Sequence, residues 1–176
     1  GEALIVATLE SEVRASFAGA RIGESEGAYA PETTPLQCWR LTVHTLFRRP
    51  VFDDTEAARA VSRLHNHAGT WAGSRCLAWV LMPECWQALV EVGANDSVER
   101  LVQRFKTASA RLVDPRQRIN GWLWERGFDA QPLRPQCERE AARRLVLEPV
   151  RAGLAGAIGE YPYWSAVWLD ENHAQH

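Results

Sequence analysis

The chain of 176 residues has a single lysine, Lys106, so its basic side chains are almost all arginines. The net charge is −2. The sequence therefore lacks the strongly basic footprint of proteins that bind nucleic acid mainly by neutralising phosphates. No apolar run approaches the ~20 residues that cross a bilayer. The opening stretch, "GEALIVATLESEVRAS", has no basic leading segment and carries acids, so it does not read as a signal peptide. A soluble, cytoplasmic protein is the expectation. The four cysteines, Cys38, Cys76, Cys85 and Cys137, include no C-x-x-C pair. That argues against a disulfide scaffold and against a zinc site, and ordinary thiols with no metal and no cofactor are expected.

Hydrophobic residues make up 46% of the chain, enough for one real core. Charge is unevenly spread. Residues 1–36 carry six glutamates against Arg14 and Arg21, a net −4, leaving +2 for the rest. The stretch "GESEGAYAPETTP" predicts an acidic, irregular N-terminal arm or linker over 1–36, with a short helix over 4–18. A folded domain is expected over 37–169 and a polar tail over 170–176.

Within that domain, "CWRLTVHTLF" reads as a strand and "DDTEAARAVSRLHNHAG" as one helix. "RCLAWVLM" and "CWQALVEV" read as an antiparallel hairpin closed by Pro83. "NDSVERLVQRFKTASARLV" reads as a helix whose apolar face is Val98, Leu101, Val102, Phe105 and Leu112. "GWLWERGFDAQPLR" reads as a Trp-rich hairpin or bent strand, and "PQCEREAARRLVLEPVRAG" as a last helix. The first six elements have the βαββαβ order of a ferredoxin-like split βαβ layout. This predicts an α+β fold, an antiparallel sheet with helices on one face.

At this level the motifs become specific. "VHTLFRRPVFDD", "LAWVLMPECWQALVEV", "SVERLVQRFKTASAR", "LWERGFDAQPLR" and "EPVRAGLAGAIGEYPYWSA" follow one another over residues 37–168. In that order they resemble the REP-associated tyrosine transposases, within the HUH single-strand transposases of the insertion-sequence type. The resemblance implies a chemistry in which a tyrosine attacks a DNA phosphodiester while a divalent metal, held by two histidines in a His-x-His triplet, polarises the phosphate. Those two histidines fall on Cys85 and Gln87, with Trp86 between them and directed to the opposite sheet face. The nucleophile falls on Arg144, a further histidine near Gln131, and the asparagine of an Asn-Pro pair on Glu148. Arginine stays protonated and is no nucleophile, and no tyrosine lies on that helix. No catalytic residue is therefore expected, and Cys85 and Gln87 are expected to line a degenerate groove on an open sheet face.

Other residues carry weaker signals. In the resembled family Arg48, Arg49, Arg100, Arg104, Lys106 and Arg111 lie in regions that face DNA, and with Arg144 they are the candidate ligand- or nucleic-acid-binding set. The alternative is a solvated, ion-paired surface. His65-Asn66-His67 spells His-x-His at a helix end, where residues two apart do not share a face, and reads as a solvated terminus. His44 reads as a satisfied strand histidine. Of the eight tryptophans, Trp71, Trp79, Trp86, Trp122, Trp124, Trp164 and Trp168 could include base-stacking platforms, with core packing the expectation for Trp79 and Trp86. The overall expectation is a catalytically inactive, repurposed transposase-like regulator, a protein adaptor or a sensor of a small nucleotide. A regulator binding single-stranded or hairpin DNA is the alternative, and an active transposase comes last. No membrane partner is expected, and monomer and homodimer stay open.

Overall fold

The structure, a computed structural model, describes residues 36–169, so the expected N-terminal arm, its helix and the polar tail lie outside the described residues. Five strands form one antiparallel sheet: β1 (Cys38–His44), β2 (Arg75–Met82), β3 (Cys85–Glu91), β4 (Asp129–Pro132) and β5 (Trp164–Ala166). Their order is β4-β1-β3-β2-β5. The first four strands have the split βαβ arrangement, because β3 runs antiparallel between β1 and β2 and β1 does the same between β3 and β4. β5 is an addition, a three-residue strand on the free edge of β2. Among the described residues no helix is long and apolar enough to cross a membrane.

The helices are α1 (Thr55–Arg63), α2 (Ala68–Trp71), α3 (Val98–Leu112), α4 (Glu138–Val146) and α5 (Glu148–Arg151). Side-chain caps start two of them. Asp54 Oδ1 accepts from the Glu56 N–H at 2.9 Å, and Ser97 Oγ accepts from the Arg100 N–H at 3.2 Å. α1 and α3 pack on one sheet face as expected. Leu41, Val43, Trp79, Leu81, Trp86, Ala88 and Val90 from the strands meet Ala58, Val61, Leu101, Val102 and Phe105 there. The expectation of helices on one face needs extending. α4 covers the opposite face, where Ala142, Leu145 and Val146 pack against Ala78, Val80, Met82, Cys85 and Leu89. The sheet thus has a core on each side, and alternate residues of β3 belong to different cores.

Where the chain departs from its predicted elements, a side-chain hydrogen bond is at work. The first strand ends at His44 rather than Phe47. Buried Thr45 donates its hydroxyl to Arg49 O at 2.7 Å, and the backbone then turns with Phe47 and Arg48 at φ 59° and 55°. The single helix expected over 53–69 is broken at Leu64, where the half-buried His65 turns onto Trp79 and Trp86. The expected apolar position Leu112 is exposed, while Ser109 is buried and its hydroxyl oxygen accepts the Trp124 indole N–H at 2.8 Å.

His65 is not a solvated helix end. Its ring stacks on Trp79, with centroids 3.8 Å apart, and its Nε2 accepts the Trp86 indole N–H at 2.9 Å. Trp86 stacks in turn on Phe105 at 3.7 Å. Nε2 must be unprotonated to accept, so the ring proton sits on Nδ1 and is donated to Ser62 O at 2.9 Å. Burial holds the imidazole neutral and lowers its pKa to about 4.

The sign of the pH dependence follows. The unfolded chain binds a proton at its ordinary His pKa while the folded chain refuses it. Stability is then complete above about pH 6.5 and falls as pH drops toward about 4, by up to about 3 kcal/mol. Urea unfolding at pH 7.5 and pH 4.5 measures this. Asp96, held ionised by Arg104, keeps its stabilising contribution at both pH values and loses it only at more acid pH.

Candidate functional site

The face opposite α1 and α3 has an apolar half under α4 and a polar half near β4. In register, Thr42 pairs with Gln87, His44 with Cys85, Arg40 with Gln131 and Thr42 with Asp129. The period of two puts all of these on one face. Arg40, Thr42, Asp129, Ala130 and Gln131 line a hollow of about 320 Å³. Gln131 is exposed at its rim.

Cys85 and Gln87 do not line an open groove, contrary to the sequence expectation. They are only 5% and 8% exposed. The cause is the amphipathic α4 with Leu147 and Val150 behind it, which close over Cys85 and Leu89. The Gln87 amide is engaged on both sides. Its Oε1 accepts from Arg40 Nη2 at 3.0 Å, and its Nε2 faces the sulfurs of Cys85 and Met82 at 3.8 and 3.9 Å. Arg40 Nη2 also lies 3.6 Å from Glu148 Oε1, which sits 3.7 Å from Arg151 Nη1. An alternating chain of charge, Arg40–Glu148–Arg151, therefore ends on Gln87.

These residues do not fit a divalent cation. Burial pushes the Cys85 thiol up to about 11, so it stays protonated rather than becoming a thiolate ligand. The Gln87 oxygen is already occupied by a guanidinium, whose positive charge opposes a metal ion beside it. Among the described residues no group of three or more His, Cys, Asp or Glu side chains is placed to hold a metal. His44 also differs from its reading. Its Nδ1 is buried with no hydrogen-bond partner among the described residues, and its Nε2 lies 4.0 Å from Asp129 Oδ2, too far for a hydrogen bond. Arg144 is largely exposed, with Nε 3.8 Å from Glu140 Oε1 one turn back.

Most of the basic candidates are committed elsewhere. Arg104 forms a bidentate pair with Asp96, at 2.9 and 2.5 Å, and donates to Thr70 O and Trp71 O, both at 3.1 Å. It fastens α3 to the end of α2. Lys106 Nζ donates to Glu125 O at 2.8 Å and Gly127 O at 2.7 Å, which pins the loop before β4. Arg49 Nη2 donates to Gln117 O at 2.5 Å, and Arg48 Nε donates to Glu125 Oε1 at 3.1 Å. Arg100 and Arg111 remain exposed, with no partner for their guanidiniums among the described residues. The tryptophans divide in the same way. Trp71, Trp79, Trp86 and Trp124 are buried, whereas Trp122 is 51% exposed.

Arg40 is the residue of this face that the sequence reading passed over. The available signal was an arginine inside a half-buried strand, since a partly buried charge needs a partner.

Two measurements separate structural from surface roles here. Arg104→Ala strands the nearly buried Asp96 carboxylate and lowers unfolding free energy by about 2 kcal/mol, whereas Arg100→Ala changes it by less than about 0.5 kcal/mol. Equilibrium denaturation of the two variants checks this. In the folded protein a thiol reagent at neutral pH labels exposed Cys137 first. Cys38 and Cys85, pushed up to about 12 and about 11 by burial, react only as the chain unfolds. Timed mass spectrometry reads the order.

No protein-family model and no curated protein matches the chain, whereas solved structures do. One is a REP-associated tyrosine transposase bound to a REP hairpin. It aligns with a TM-score of 0.56 and 17% identity, over 77% of this chain and 80% of that one. Another, from Deinococcus radiodurans R1 and assigned as a transposase, aligns with a TM-score of 0.49 and 18% identity, over 72% of this chain and 91% of that one. The first match establishes the fold: this is an α+β antiparallel sheet of the transposase-like kind.

Proposed function

We propose that the chain is a transposase-fold protein that acts by binding and not by cutting DNA: a catalytically inactive, repurposed regulator whose partner is a small nucleotide or another protein. One observation carries this reading. The positions that the resemblance assigns to two metal-binding histidines are a buried thiol and an amide held by Arg40. Transfer of a phosphodiester to a protein side chain needs a nucleophile and a centre of positive charge aimed at the phosphate. Arg144, at the nucleophile's position, cannot lose its proton. The Arg40 charge is already balanced by Glu148.

A second reading, a regulator that binds hairpin DNA or RNA, is supported by the hairpin carried by the structural neighbour. It ranks lower because the net charge is −2 and, of the candidate cations, Arg48, Arg49, Arg104 and Lys106 donate to groups of the protein itself.

The test is covalent capture. The full chain is incubated with a labelled hairpin oligonucleotide and Mg²⁺ or Mn²⁺, then denatured and run on a gel. The expected result is no shifted band. A metal-dependent adduct that survives denaturation would overturn the inactive reading.

A further inference from the structure

A second groove, away from the Arg40 cluster, lies between α3 and the segment leading to β4. It encloses about 450 Å³, of the size that takes a small ligand, and its walls include Arg111, Arg118, Trp122 and Arg126. Lys106 and Glu125 complete its charged lining, giving four cations against one carboxylate in a chain whose net charge is −2.

The geometry of the groove is built, not incidental. Ile119 and Trp122 bridge each other across Asn120 and Gly121, whose φ angles of 50° and 83° are those of a tight two-residue turn. Asn-Gly adopts that turn at little cost, so Trp122 stands on a stiff support. Leu123 and Trp124, the next two residues, are buried and anchor the support in the core. Lys106 secures the far side through the Glu125 and Gly127 carbonyls. Trp122 nevertheless exposes half of its surface, with the Arg126 guanidinium 5.9 Å from the ring centroid, a loose contact that a flat ligand could replace. Arg118 Nε is buried without a hydrogen-bond partner among the described residues, and Arg111 has none for its guanidinium either. Guanidiniums with open donors suit phosphate oxygens, and an exposed indole face suits a base.

We infer that this groove binds a nucleotide, with the base stacked on Trp122 and the phosphate held by Arg111, Arg118 and Arg126. The inference rests on the reading of the protein as a binding protein and names the ligand class and its site. The same chemistry is offered by a free nucleotide and by one unit of a single strand. Both fit an open groove with one aromatic platform and a few cations. A long duplex backbone would need cations along more surface than this one groove offers.

Binding of the full chain to labelled oligoadenylate is measured by anisotropy, and to adenosine monophosphate by calorimetry, at low and moderate salt. Trp122→Ala is expected to weaken binding about tenfold or more, and Trp122→Phe to restore most of it. Arg111→Ala combined with Arg126→Ala should weaken binding and flatten its salt dependence. If both probes bind and both are lost in Trp122→Ala, the site takes free nucleotides. If only oligoadenylate binds and is lost, the site reads a single strand. If neither probe binds at low salt, or if binding is indifferent to Trp122→Ala while thermal unfolding is unchanged, the inference is overturned. A metal-dependent covalent adduct with the oligonucleotide would instead count against the inactive reading, so the two failures are distinguishable.

Discussion

The hydrogen bond from the Trp86 indole to His65 is the interaction on which the rest of the domain is arranged. It joins the start of the central strand β3 to the turn that ends α1, and it is surrounded by aromatic rings: Trp79 stacked on the imidazole, Phe105 on the indole. Four further bonds tie that turn in place. Trp71 Nε1 donates to His65 O at 3.0 Å, Thr70 Oγ1 donates to Leu64 O at 3.2 Å, and Arg104 spans the carbonyls of Thr70 and Trp71. A buried polar pair is costly unless both members are satisfied; here Nε2 of the imidazole takes the indole N–H and its Nδ1–H goes to Ser62 O. The position of α1, the entry into β2 and the seating of α3 are therefore coupled through one imidazole that has to stay neutral.

The opposite face is organised by charge. Arg40 projects from β1 in the polar half of this face and is met by Gln87 from β3 and Glu148 from the start of α5. Because Arg40 and Glu148 are each partly exposed, water screens the pair and its contribution to stability is modest. Its structural effect is larger than its energy. It fills the place between sheet and C-terminal helices with a fixed, internally neutralised group, and it ties the end of α4 to the sheet beside Cys85.

Much of this architecture was legible in the sequence. β2 was bounded correctly because an apolar run met Pro83, and α3 because Ser97 is a strong cap. Trp86 was placed on the face that α1 and α3 cover by the His-x-His frame of the resemblance and the strand period of two. What escaped the reading depended on partners far along the chain. Nothing near His65 announces that a tryptophan twenty-one residues later will hold it, so the helix appeared to run on and the histidine to be solvated. β5 is three residues long and exists because β2 offers a free edge. The closure of the second face was hidden for the same reason: the apolar stripe of α4 was visible, but the surface it would cover was not. Around Trp122 the turn signal Asn-Gly was present, while the convergence of Arg111, Arg118 and Arg126 on one groove appears only after folding.

β3 serves both faces at once. Trp86, Ala88 and Val90 belong to the aromatic side, and Cys85, Gln87 and Leu89 to the other. Successive side chains on a strand do not touch the same neighbours, so the backbone insulates one side from the other. Polar groups at 85 and 87 can be exchanged without altering any contact of Trp86. A sheet with two separate cores is in this sense fault-tolerant: one face can lose a chemistry, or acquire an unrelated one, while the other continues to specify the fold.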